Sequence, residues 1–88
     1  MTYQFSFKDC LDGVTNTIEE SFRGSNLQGF IKKAVGSNRE ELNKFLEYFG
    51  EAEFTVAEKD SRKLIARGVY RCNAFSGRDS LEFRMVNN

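Results

Sequence analysis

The chain of 88 residues is 40% hydrophobic and 30% charged, with nine Phe and three Tyr, a balance that excludes a disordered chain and suits one packed core. Its 13 basic and 13 acidic side chains cancel, which excludes a global field drawing it to nucleic acid or to an anionic membrane. No stretch approaches the roughly 20 apolar residues of a membrane span and no basic segment leads into an apolar run at the start, so a cytoplasmic protein that does not engage membranes is expected.

Size scaling gives about 5,300 Å² of folded surface, with roughly 64% of the unfolded chain's surface buried. That is enough for one core, and residues 1–88 read as a single domain, since Pro is absent and no linker or repeat interrupts the chain. So small a domain gains from extra buried surface, which makes a homodimer compatible with the sequence. Charge is uneven along the chain. Residues 1–54 carry six basic and nine acidic side chains and residues 55–88 carry seven and four, a bipolar distribution.

Taken in chain order, Tyr3-Gln-Phe-Ser-Phe7 alternates apolar with polar and predicts a strand with Tyr3, Phe5 and Phe7 inward. Leu11, Val14, Ile18 and Phe22 then recur at spacings of three, four and four, which predicts a helix capped by Asp9 and stopped at Gly24. The competing prediction is a hairpin, because Asp12-Gly13 is turn chemistry and Val14, Thr15, Thr17 and Ile18 are β-branched; it would turn Asp9 and Asn16 inward. Asn26 or Ser25 caps a short helix with Leu27, Phe30, Ile31, Ala34 and Val35 on its apolar face and Gly36 at its end. Ser37-Asn-Arg-Glu40 has the form of a capping box and predicts a further helix, striped by Leu42, Phe45, Leu46 and Phe49 and stopped at Gly50.

From residue 52 the period becomes two. Phe54 and Val56 predict a strand, Lys59-Asp-Ser-Arg62 a turn, Leu64 to Asn73 a second strand, and Leu81 to Met85 a last one after the loop Phe75–Asp79. The expected order is β-α-α-α-β-β-β, or β-β-α-α-β-β-β with the hairpin. Either gives a two-layer α+β fold, a largely antiparallel sheet with two or three helices on one face.

Absence of His removes the commonest general base and metal ligand together with any His-dependent triad. Cys10 and Cys72 have no metal-ligand spacing and read as reduced core thiols. Glu19-Glu20 and Glu40-Glu41 read as solvated helix surface, and Gly24-Ser-Asn-Leu-Gln-Gly29 lacks the Lys and Ser/Thr of a phosphate loop. The expectation is a protein without catalytic residues, metal or cofactor.

Recognition is the function class left. On the strand Leu64 to Asn73, Ile65, Arg67, Val69 and Arg71 share the side opposite Ala66, Gly68, Tyr70 and Cys72, and Arg84 lies on the same side of the next strand. With Arg62 and Lys63 at the adjoining turn, these residues mix Arg with aliphatics as protein interfaces do. The expected function is a non-enzymatic regulatory module, such as an inhibitor, adaptor or immunity-type protein, that occupies the surface of a protein partner. A nucleic-acid partner would use the same basic face, with Phe75 or Tyr70 stacking on bases.

Overall fold

The structure, a computed structural model, describes residues 1–86. Five strands, β1 (Thr2–Asp9), β2 (Thr15–Ser21), β3 (Phe49–Glu58), β4 (Leu64–Asn73) and β5 (Arg78–Met85), form one antiparallel sheet in the order β2-β1-β3-β4-β5. Two helices, α1 (Leu27–Ser37) and α2 (Arg39–Phe45), lie between β2 and β3 in sequence and cover one face. The fold is the α+β architecture that period and turn chemistry predict, with two helices.

The sheet interior is set by alternation. Tyr3, Phe5 and Phe7 of β1, Ala52, Phe54 and Val56 of β3, and Ala66, Tyr70 and Cys72 of β4 point into one core with Phe30, Ile31, Ala34 and Val35 of α1, and with Leu42 and Leu46 at α2. Aromatic rings dominate it: Phe7 stacks on Phe54 at 5.0 Å, and Phe30 receives Tyr3, Phe5 and Phe22 at 5.3, 5.8 and 4.5 Å. Each such pair adds about 0.5–1.5 kcal/mol beyond the area it buries. Accessible surface is 5990 Å², above the roughly 5,300 Å² expected for the chain's size, because two helices cover only one side of a five-stranded sheet.

Residues 9–23 form the hairpin and not a helix. Asp9 N–H and Gly13 N–H donate to Val14 O and Asp9 O, and the Asp9 and Asp12 carboxylates accept from Leu11 N–H and Val14 N–H, so the turn is built from the Asx chemistry of its own residues. The 3-4-4 spacing was no helix face: Leu11 and Val14 are exposed in the turn, and only Ile18 and Phe22 reach the core. Asn16 does face inward, but on an edge strand, half-buried at the margin of the sheet, where a polar side chain also discourages strand addition. Glu19 and Glu20 consequently lie on β2, where Glu19 pairs with Lys59 at 3.1 Å and Glu20 accepts from Asn38 Nδ2 at 3.0 Å.

The helix boundaries differ from prediction at the junction. Asn26 caps α1 as expected, its Oδ1 accepting from Gly29 N–H at 3.0 Å, but Gly36 stays inside the helix and the Ser37 capping box does not form. Asn38 replaces it as the hinge between α1 and α2: its Nδ2 donates to Ala34 O as well as to Glu20. After α2 the chain turns through Glu47 and Tyr48, both in the left-handed region at φ 56° and 64°, so that Phe49 opens β3 instead of closing a helix stripe.

Candidate binding face

The side of the sheet away from the helices is built in rows by strand register. Thr17 of β2, Ser6 of β1, Thr55 of β3, Arg67 of β4 and Arg84 of β5 are successive cross-strand partners. The next row is Thr15, Lys8, Glu53, Val69 and Glu82, and beyond it Glu51 faces Arg71, which faces Ser80. Residues of these first two rows, all but Thr17, line a shallow trough of about 750 Å³.

Of the residues predicted to bind a partner, Arg67, Val69, Arg71 and Arg84 come together on this face. Ile65 does not: between Val56 and Ala57 the register shifts so that Ala57 faces Leu64, and Ile65 packs against the core. Arg62 and Lys63 sit at the β3–β4 turn, at the end of the sheet remote from Arg71, where Arg62 closes the turn at φ 60° by donating its N–H to Glu58 O. Tyr70 is buried with its hydroxyl bonded to Asn43, which removes it as a base-stacking platform.

Charges on the face are interleaved. Arg71 is held between two carboxylates, Glu51 at 3.0 Å and Glu82 at 3.6 Å. Arg67 and Arg84 have no ion-pair partner among the described residues. The bipolar distribution along the sequence therefore does not become two poles in space, because β3 carries Glu51 and Glu53 of the acidic half directly against β4.

The face continues into an apolar end that local sequence patterns do not reveal. Antiparallel register brings the β1–β2 turn, the α2–β3 turn and the β4–β5 turn to the same end of the sheet, and backbone hydrogen bonds from Cys10 N–H to Glu51 O and from Ala74 N–H to Tyr48 O tie them together. Among the described residues, six large hydrophobic side chains are exposed, and five of them, Leu11, Val14, Tyr48, Phe49 and Phe75, lie in these turns or, for Phe49, at the first position of the strand that follows. Leu11 is 94% and Phe75 91% exposed, and Phe75 meets Phe49 edge to face at 5.8 Å. Phe49 shares its side of β3 with Glu51 and Glu53, so the aromatic pair is continuous with the arginine face.

The cysteines differ. Cys72 is buried and its thiol is pushed up, by desolvation first and the Asp79 charge second, whereas Cys10 is exposed in the β1–β2 turn and is no core thiol. Among the described residues no three potential metal ligands cluster, and no helix is long and apolar enough to cross a membrane. Comparison with protein-family models, curated proteins and solved structures finds no match.

Proposed function

We propose that this chain is a non-enzymatic regulatory module that binds a protein partner through the outer face of β3–β5 and the aromatic end that continues it. The observation that carries the reading is the concentration of five exposed large hydrophobics at three adjoining turns, next to a face presenting Arg67, Arg71 and Arg84. Isolated exposed apolar residues are ordinary on a monomer, but several gathered at one end of a sheet, with an aromatic pair among them and charge beside them, have the composition of an interface, and aromatic residues and Arg supply most binding hot spots. Inhibitor, adaptor and immunity-type roles all use such a surface, and the chain needs no cofactor for any of them.

Affinity capture of the tagged chain from its native lysate, with and without nuclease, tests the reading. A stoichiometric protein that survives nuclease is expected, lost when Phe49→Ala is combined with Phe75→Ala and lost again in Arg67→Glu with Arg71→Glu, while both variants keep the wild-type far-UV circular dichroism. Retention of that protein by both folded variants would overturn the assignment of this surface. Recovery that nuclease abolishes would favour a nucleic-acid partner, for which Phe75 is the exposed stacking residue. Glu51, Glu53 and Glu82 on the same face weigh against that alternative, since they would repel a phosphate backbone laid across it.

A further inference from the structure

Arg67 and Arg84 are direct cross-strand partners on an open sheet face, both exposed, with no carboxylate paired to either among the described residues. Like charges set opposite one another weaken a sheet, and here the neighbouring strand does not relieve them: the residue facing Arg67 from β3 is Thr55. Across the remaining strands the row continues as Ser6 and Thr17, so two guanidinium groups adjoin a line of hydroxyl donors, of which Thr55 and Ser6 lie in the trough.

A pair of guanidinium groups with hydroxyl donors beside it matches an oxyanion, which accepts charge-assisted hydrogen bonds from both arginines. The surroundings decide which oxyanion. Glu53 and Glu82 occupy the next row on either side of Val69 and outnumber its one cation, Lys8, and Arg71 beyond them is already neutralised by Glu51 and Glu82. A chain of phosphates would meet these carboxylates two residues further along the strands, about 7 Å away, whereas a single acidic side chain on an otherwise uncharged or basic segment would not. We infer that Arg67 and Arg84 form a carboxylate seat, which takes an Asp or Glu side chain from a protein segment lying across the outer face. The inference rests on the partner-surface reading above and adds the chemistry of the segment bound.

The seat is tested on the isolated chain, without a partner. The 15N-labelled protein is titrated with an acetylated, amidated peptide that carries one Glu among Gly and Ser residues and, separately, with a single-stranded oligothymidylate, following the arginine Nε–H resonances. The expected result is a joint, saturable shift of Arg67 and Arg84 with the peptide, weakened about tenfold in Arg84→Thr and in Arg67→Thr, as loss of one charge-assisted hydrogen bond requires. Both substitutions are at exposed strand positions, and a preserved amide spectrum shows that each variant is folded. Shifts spread equally over Arg23, Arg62 and Arg78, no shift at all, or tighter binding of the oligonucleotide than of the peptide would each overturn the seat. Peptide binding at Arg67 and Arg84 together with undiminished partner capture by both the Phe49→Ala, Phe75→Ala and the Arg67→Glu, Arg71→Glu variants would leave a carboxylate-binding pair standing and overturn the partner surface. Absence of peptide binding alongside capture that depends on Phe49 and Phe75 would do the reverse.

Discussion

The hydroxyl of Tyr70 on β4 donates to Asn43 Oδ1 on α2 at 2.6 Å, a polar tie between the second helix and the sheet. Asn43 in turn donates from Nδ2 to Asp79 Oδ2 of β5 at 3.3 Å, and Arg39 closes the circuit on the same oxygen at 2.8 Å. Strands β4 and β5 are thus linked to Arg39 and Asn43 of α2 through the buried Tyr70, the half-buried Asn43 and Asp79 and the exposed Arg39, so the network holds the strands carrying the candidate face in register with the helix layer behind it.

Tyr70→Phe is expected to lower stability by about 0.5–1.5 kcal/mol, the net value of a hydrogen bond, and by up to about 3 kcal/mol if the Asn43 carbonyl stays dry and unpaired. Urea denaturation measures it. The same residue makes stability depend on alkaline pH. Burial first, and then the Asp79 charge, raise the Tyr70 phenol above its ordinary value near 10. The folded state therefore holds its proton more tightly than the unfolded state does, so this contribution is complete below about pH 10 and is lost as pH climbs from there toward the raised value. Tyr70→Phe should flatten that part of the alkaline stability profile, and an unchanged profile would show that the phenol does not control it.

Gly68 tests the fit of β5 against β4. A Cβ built there would run into Glu82 O and lie 2.5 Å from Phe83 Cβ, and neither is the far end of a flexible side chain that can swing away. Gly68→Ala must therefore displace the β5 backbone, at an expected cost of about 1–3 kcal/mol. Amide hydrogen exchange should show the loss of protection concentrated in Leu81–Met85, and uniform loss across all five strands would contradict a local displacement.

These two sites show unequal legibility in the sequence. Alternation alone predicts β4 with Tyr70 and Gly68 on its inner side, because a central strand with one covered face must alternate. The hairpin at Asp12-Gly13 was legible too, in its β-branched residues, but the chance spacing of Leu11, Val14, Ile18 and Phe22 competed with it. Phe49 was hidden for a different reason: nothing local announces that Glu47 and Tyr48 adopt left-handed conformations, which L side chains adopt at a cost, so the helix stripe appeared to run on through it. The apolar end as a whole exists only through register, since residues 49 and 75 meet, and residue 11 comes to the same end of the sheet, because Asp9 faces Ala52 and Phe49 faces Asn73. Periodicity describes one element at a time and holds no such information.

Thiol labelling separates the two cysteines. Cys10 lies exposed in the β1–β2 turn, while Cys72 is buried on β4 with its thiol pushed up by desolvation, so less of it is thiolate at a given pH. One thiol should react rapidly with an aromatic disulfide reagent in the native state and the second only on unfolding, with Cys10→Ser abolishing the rapid phase. Rapid reaction of both would mean that β4 is not buried as described.

The arginine face carries a stability prediction of opposite sign. Because Arg84 faces Arg67 with no carboxylate paired to either among the described residues, Arg84→Thr removes a repulsion and places a β-branched residue on a strand; it should raise stability by about 0.2–1 kcal/mol at low ionic strength. The gain should shrink as salt is added, since exposed charges are screened beyond a Debye length of about 10 Å at 0.1 M. Thermal melts of wild type and variant at low and high salt measure both effects. A variant more stable than wild type yet unable to hold its partner would mark Arg84 as retained for binding at the expense of the fold, since residues that break a local rule without structural benefit concentrate at functional sites. A variant less stable than wild type would instead show that the Arg84 side chain contributes packing across β4, and the like-charge argument would fail.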